Sequence, residues 1–204
     1  MRERIFSRLR LMAAIVALTG CVGWATAGDA QTVTGQARAV QVTVLGSLTV
    51  LGSQTVLSDT GALTGGDDAR QASQVTGAVP SVLTAEALHA TTIGWPDQAV
   101  SAASLAGLAV TVAGNGITAG FVMARAKAIL GGAGAGDTDI DALSINGAPI
   151  TVTGQPNQTI PLLRGRVIIN EQQPLFPSGM TVNALHIVID GVADVVIASA
   201  TAGI

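Results

Sequence analysis

The chain has 204 residues, of which 49% are hydrophobic, 11% charged and 2% aromatic, with 25 Gly and no Tyr. Four of its ten basic residues lie in the first ten positions, which leaves a body with six basic and twelve acidic residues. An acidic body without a basic cluster argues against a nucleic-acid partner. The single Cys, Cys21, excludes an intrachain disulfide and a Cys-based metal site.

The N-terminal 21 residues have the organisation of an export signal. A basic segment, residues 2–10, precedes an apolar run, residues 11–18, that is too short to span a bilayer. Leu18-Thr19-Gly20-Cys21 matches a lipobox, which predicts a lipoprotein signal over 1–21 and a lipid on Cys21 that anchors the chain to a membrane. The alternative is ordinary cleavage after Ala27, at the end of a small-x-small triplet.

Residues 22–35 are small, polar and aperiodic, which predicts a tether to one domain over 36–204. Alternation of side-chain type then predicts strands at 37–44, 48–57, 70–79 and 99–112. Residues 114–116 (Gly-Asn-Gly) predict a hairpin turn, and the Gly-rich residues 131–136 a flexible loop. Two stretches, 82–90 and 121–130, have the Ala and Leu content of short helices and remain open between helix and strand.

The C-terminal third has the clearest strand pattern. Runs of Val, Ile and Thr separated by Gly, Pro, Asn or Asp predict strands at about 140–145, 149–153, 158–163, 166–171, 180–189 and 193–200. Many short strands with frequent turns indicate an all-β fold, an antiparallel β-sandwich or alternatively a β-barrel. The run 180–189 places apolar residues on both faces, so both faces are expected to be covered by this chain or by a neighbouring copy.

The sequence of this C-terminal third resembles the choice-of-anchor P family of secreted bacterial surface proteins. The matching segments are an Asn-Gly turn, TVTG, Pro-Asn-Gln-Thr, Ile-Asn-Glu-Gln, TVNALH and DVVIASA. The resemblance implies an exported β domain of unassigned biochemical role, and it implies strands at both ambiguous stretches. Paired Cys residues associated with the family are missing here, so no disulfide carries over.

Three acidic residues, Asp137, Asp139 and Asp141, alternate in the run GDTDID. On an extended segment they face one way and offer hard oxygen ligands to Ca²⁺. The competing interpretation is a solvated strand entry, because the spacing of Gly and Glu in a helix–loop–helix calcium loop is not met. Calcium is therefore a weak candidate, and no other cofactor is expected.

The remaining residues offer little chemistry. A Ser-His-Asp triad would need His186 with Asp190 or Asp194 and a Ser, but no nucleophile-elbow motif accompanies these residues. A zinc site needs three or four ligands, and His89 and His186 supply only two. Glu171 is expected to pair with Arg164 or Arg166. Residues 131–136 lack the Lys and Ser or Thr of a phosphate-binding loop.

These patterns predict a non-enzymatic structural or adhesive protein of the cell envelope or the extracellular space. The low charge and the apolar terminal strands further suggest self-association. The alternative is a carbohydrate- or calcium-binding β-sandwich module, for which the three aspartates are the only support.

Overall fold

A computed structural model describes residues 32–45 and 52–204. The predicted signal, Cys21 and most of the tether lie outside the described residues. The described part consists of strands and turns: β1 Thr34–Val44, β2 Ser53–Asp59, β3 Ala69–Val79, β4 Leu83–Trp95, β5 Gln98–Val112, β6 Asn115–Ile129, β7 Ala135–Asp141, β8 Ser144–Ile145, β9 Ala148–Pro149, β10 Gln158–Leu162, β11 Gly165–Pro174, β12 Gly179–Ile189 and β13 Ala193–Gly203. Within it no helix is long and apolar enough to cross a bilayer.

The strands form two antiparallel sheets. The first has the order β10-β11-β12-β13-β1-β2, and the second has the order β3-β4-β5-β6-β8-β9, with β7 also paired to β6. Strands β1, β12 and β13 of the first sheet pack on β4, β5 and β6 of the second. The predicted β-sandwich is confirmed, and the alternative of a closed barrel does not occur among the described residues.

Both ambiguous stretches are strands, so the helical alternative at 82–90 and 121–130 is wrong. Residues 122, 124, 126 and 128 are buried and alternate with more exposed neighbours along β6. This period of two buries one face of a strand, whereas a helix would scatter the same residues around its axis. The intrinsic preference of Ala for helix is a weak tendency that the burial pattern overrides.

Several predicted boundaries differ from the structure, and the predicted strand 140–145 is divided between the end of β7 and β8. β1 begins at Thr34, inside the predicted tether, and β7 begins at Ala135, inside the predicted glycine loop. The predicted strand 149–153 is reduced to the end of β9. There the Gln158 side chain accepts hydrogen bonds from the backbone and hydroxyl of Thr153 and donates to the carbonyl of Thr151, which replaces a strand partner.

A crease runs across each sheet and corrects the prediction that 180–189 is apolar on both faces. In the first sheet Ser58, Asn170 and Ala198 have φ of 49°, 53° and 51°, and they occupy one row together with Ala39 and Ala184. A positive φ within a strand shifts the alternation of its side chains by one residue. β12 follows the same crease at Ala184, although no residue of β12 has a positive φ. Ala184 and Leu185 are both buried, and all the large apolar side chains of β12 except Val188 are buried as well.

The core between the sheets is thin because much of it is Ala and Val. A Cβ atom on Gly35 of β1 would come within 2.5 Å of the Thr92 hydroxyl, so the two sheets approach closely there. Thr92 and Ser101 are fully buried, and their hydroxyls lie 2.7 Å apart. Ser101 donates to the carbonyl of Thr201, which joins the second sheet to β13 of the first through a fully satisfied polar chain.

Candidate functional site

The most concentrated polar cluster of the described residues lies on the outer face of the first sheet, around Glu171. The crease at Asn170 turns Glu171 of β11 outward, and Asn183 and His186 of β12 point to the same face on either side of the crease. Asn183 Nδ2 donates to Glu171 Oε2 at 2.7 Å, and His186 Nδ1 lies 2.9 Å from the same oxygen. Asp194 of β13 completes the cluster, with Oδ2 3.0 Å from His186 Nε2. We call these four residues the Glu171 cluster.

The charges of the cluster stabilise one another. The hydrogen bond with Glu171 raises the pKa of His186 to about 9 against the opposing effect of burial, and Asp194 adds to the rise. The same bond with His186 lowers the pKa of Glu171 to about 2. At neutral pH an imidazolium therefore lies between two carboxylates and donates one N–H to each of them.

This geometry shows what His186 can do chemically. Both ring nitrogens are engaged by carboxylates, so neither is available to take a proton from a nucleophile. Of the residues considered for a Ser-His-Asp triad, the structure brings together His186 and Asp194 but not Asp190, and no Ser hydroxyl bonds to His186 among the described residues. The arrangement joins the three neighbouring strands β11, β12 and β13 through side-chain hydrogen bonds.

The motifs that carry the family resemblance converge on this cluster. Asn170 Nδ2 donates to the carbonyl of Gly154, and Asn157 Oδ1 accepts from the backbone N–H of Gln172. Gln172 Nε2 donates to Asn170 Oδ1 and to the carbonyl of Gly136 in β7 of the other sheet. Consecutive residues of the Ile-Asn-Glu-Gln strand thus bond in different directions and connect the loop before β10, the neighbouring strand β12 and the opposite sheet.

The three aspartates occupy the outer face of β7, as their alternation predicts. Side chains on one face of a strand are spaced by about 7 Å, so the carboxylates stand in a row and do not converge on one point. Asp137 is paired with Arg125, whose Nε lies 2.9 Å from Asp137 Oδ2. Among the described residues no three His, Cys, Asp or Glu side chains are grouped closely enough to hold a metal ion.

The other predicted site residues lie apart from the cluster. His89 is in the second sheet, where Nδ1 lies 2.7 Å from the Ser73 hydroxyl. The expected pairing of Glu171 with Arg164 or Arg166 is wrong, because these residues lie seven and five positions away along the β10–β11 hairpin, about 23 and 16 Å at the rise of a strand.

Sequence reasoning considered His186 together with Asp194, assigned Glu171 to other partners and missed Asn183. The partners come from three strands whose register depends on the crease, and no local pattern announces a positive φ at Asn170 or Ala198. The one signal in the sequence is that Asn183 and His186 are three residues apart in a predicted strand. Regular alternation would place these two polar side chains on opposite faces, so only a shift in the alternation could bring both to the outer face.

The protein is an all-β sandwich, and the hydrogen bonds of its Glu171 cluster join three strands of the same sheet. No family model, curated protein or solved structure matches the chain.

Proposed function

We propose that this chain is an exported, non-enzymatic protein of the cell envelope or cell surface that acts as a structural or adhesive β domain. The resemblance to choice-of-anchor P proteins supports export, and the lipobox at Cys21 supports a lipid anchor. The observation that carries the non-enzymatic part of the proposal is the geometry of His186, whose two ring nitrogens lie 2.9 and 3.0 Å from the carboxylate oxygens of Glu171 and Asp194.

An adhesive role is supported by the outer face of the first sheet. Uncharged polar side chains form a row across its strands, with Gln36, Thr201, Thr181 and Gln173 in register, and the Thr181 and Thr201 hydroxyls are 3.1 Å apart. This row is uncharged, so it offers little electrostatic repulsion to a second copy or to another envelope component.

Three measurements test the proposal. Protease treatment of intact cells should digest the protein, and labelled palmitate should be incorporated into it but not into a Cys21→Ser variant. Sedimentation of the purified chain should show association that increases with concentration. A strictly monomeric protein that resists protease on intact cells and fractionates with the cytosol would contradict the proposal.

The alternative, a carbohydrate- or calcium-binding module, is supported by the exposed row of Asp137, Asp139 and Asp141 on β7. It is weakened by the pairing of Asp137 with Arg125, since an ammonium or guanidinium charge at the site repels a cation. A melting temperature that rises with added Ca²⁺ and falls with a chelator, and that loses this response in Asp139→Asn, would favour the alternative.

A further inference from the structure

Large apolar side chains are exposed together at one end of the sandwich. They lie on the β4–β5 turn, the β6–β7 turn and the segment between β11 and β12, with exposed fractions of 37% for Trp95, 44% for Ile129, 50% for Leu130, 36% for Leu175 and 98% for Phe176. We call these five residues the apolar end. Concentration of large hydrophobic side chains in one exposed patch marks an interaction surface.

Direct hydrogen bonds hold the three segments side by side. The backbone N–H of Leu130 donates to the carbonyl of Asp97 at 2.9 Å, which joins the β6–β7 turn to the β4–β5 turn. The Ser178 hydroxyl donates to the carbonyl of Ile129 at 3.1 Å, and the N–H of Leu175 donates to the carbonyl of Gly179 at 3.0 Å. The five side chains therefore belong to one fixed surface.

The described chain also begins at this end. A Cβ atom on Gly94 would lie 3.1 Å from Val33 Cγ1, so the residue before β1 packs against Gly94, which precedes Trp95 in β4. At the start of β1, Thr34 pairs with Gly203, and the N–H of Ile204 donates to the carbonyl of Ser178 at 2.8 Å. The segment that leads back to Cys21 thus enters the domain next to the apolar end.

The length of that segment limits which part of the domain can meet a membrane. Ten residues, 22–31, separate Cys21 from Thr32, and they span at most about 36 Å when fully extended. β5 has 15 residues, and so the sandwich extends about 50 Å along its strands. A tether attached at the apolar end is too short to let the opposite end rest on the bilayer that holds the lipid.

We infer that the apolar end is a membrane-docking surface that contacts the phospholipid bilayer in which the acylated Cys21 is anchored. The inference rests on the proposed function, since it needs the lipid at Cys21. Trp at the interface and Phe and Leu inserted beside it are the residue types that partition into the boundary between headgroups and acyl chains. Asp97 and Lys127 flank the surface in sequence, and Asp67 lies beside it, because its backbone N–H donates to the carbonyl of Gly94. These residues form no basic cluster that would attract anionic lipid, so the contact depends on apolar burial.

Trp95 provides the readout. The chain has two Trp residues, and the variant Trp24→Phe leaves Trp95 as the only one. This full chain, acylated and reconstituted into vesicles of phosphatidylethanolamine and phosphatidylglycerol, should lose Trp95 emission when the lipids carry brominated acyl chains. The loss should persist in high salt, and Leu130→Ser with Phe176→Ser should reduce it while the protein still floats with the vesicles.

A matched control comes from the opposite end. Leu163, which is 77% exposed, lies in the turn between β10 and β11, at the far end of β11 from Leu175. In the chain with Trp24→Phe and Trp95→Phe, a Leu163→Trp substitution should give emission that brominated lipids do not quench. Equal quenching at positions 163 and 95 would overturn the inference, because it would show only proximity to the vesicle.

Other outcomes also decide the matter. Unquenched Trp95 in a chain that floats through its lipid overturns the inference and leaves the lipid anchor intact. Concentration-dependent association that Phe176→Ser abolishes, with Trp95 unquenched, assigns the surface to a second copy and overturns the membrane contact. If mass analysis finds Cys21 unmodified, the anchor fails, and quenching of Trp95 with added vesicles then decides separately whether the surface binds lipid.

Discussion

The Glu171 cluster and the Arg125–Asp137 pair both join neighbouring antiparallel strands through opposite charges, but they differ in solvent access. The side chains of His186 and Glu171 are 17% and 12% exposed, whereas those of Arg125 and Asp137 are 50% and 57% exposed. In the cluster each carboxylate or ring nitrogen that lost water has gained a hydrogen bond. The exposed pair keeps its water and gains little. The comparison indicates that, of these two charged sites, only the Glu171 cluster contributes substantially to the free energy of unfolding.

Removal of the central carboxylate should give the largest effect. In Glu171→Ala, the partly buried His186 and the buried Asn183 each lose a partner, and we expect the free energy of unfolding to fall by about 3 kcal/mol. Urea unfolding of the purified domain measures it. The control is Glu86→Ala, which removes an exposed carboxylate from the second sheet and should change stability by less than about 0.5 kcal/mol. Equal losses in the two variants would contradict the comparison.

The cluster should also make stability depend on pH. The pKa of His186 is raised from 6.5 to about 9, so its contribution is complete below about pH 6.5 and disappears as the pH rises through 9. The pKa of Glu171 is lowered from 4.5 to about 2, so its contribution is present above pH 4.5 and is lost as the pH falls through 2. Allowing for the partly exposed Asp194, we expect a loss of about 2 kcal/mol between pH 6.5 and 9.5.

His186→Gln provides the control for this pH dependence. Glutamine keeps a polar side chain at the same position but does not titrate, so the urea midpoint of the variant should change little between pH 6.5 and 9.5. A variant that follows the wild-type pH profile would assign the dependence to another group.

The sequence allowed the class of fold to be predicted because alternation and turn residues are local signals. The β12 pattern shows the limit of that reasoning. Val182 and Ala184 have opposite parity to Leu185 and Ile187, and local alternation assigns the two pairs to opposite faces. The crease, which is stabilised by pairing across five strands, brings them to one face. The same shift brings Glu171, Asn183 and His186 together, so the site was no more predictable than the crease.

β7, which carries Asp137 of the exposed pair, should be held mainly by packing. A Cβ atom on Gly136 would overlap the Val182 side chain, and Gln172 of the opposite sheet donates to the Gly136 carbonyl at 3.0 Å. Gly136→Ala should therefore lower the free energy of unfolding by about 1.5 kcal/mol through overpacking. Gly116→Ala, in β6, is the matched control because its new Cβ atom meets open space. A neutral Gly136→Ala would show that β7 can move away from β12.

The smallest effect should come from the exposed pair itself. Asp137→Asn removes the charge that Arg125 contacts and keeps the shape of the side chain, and we expect a loss of less than about 0.5 kcal/mol. Because both groups are about half exposed, even this difference should vanish at 1 M salt, where charges are screened over about 3 Å. Unfolding curves of both proteins at low and high salt measure it. A loss comparable to that of Glu171→Ala would mean that the exposed pair stabilises the protein as strongly as the partly buried cluster. Burial would then not account for a difference in stability between the two.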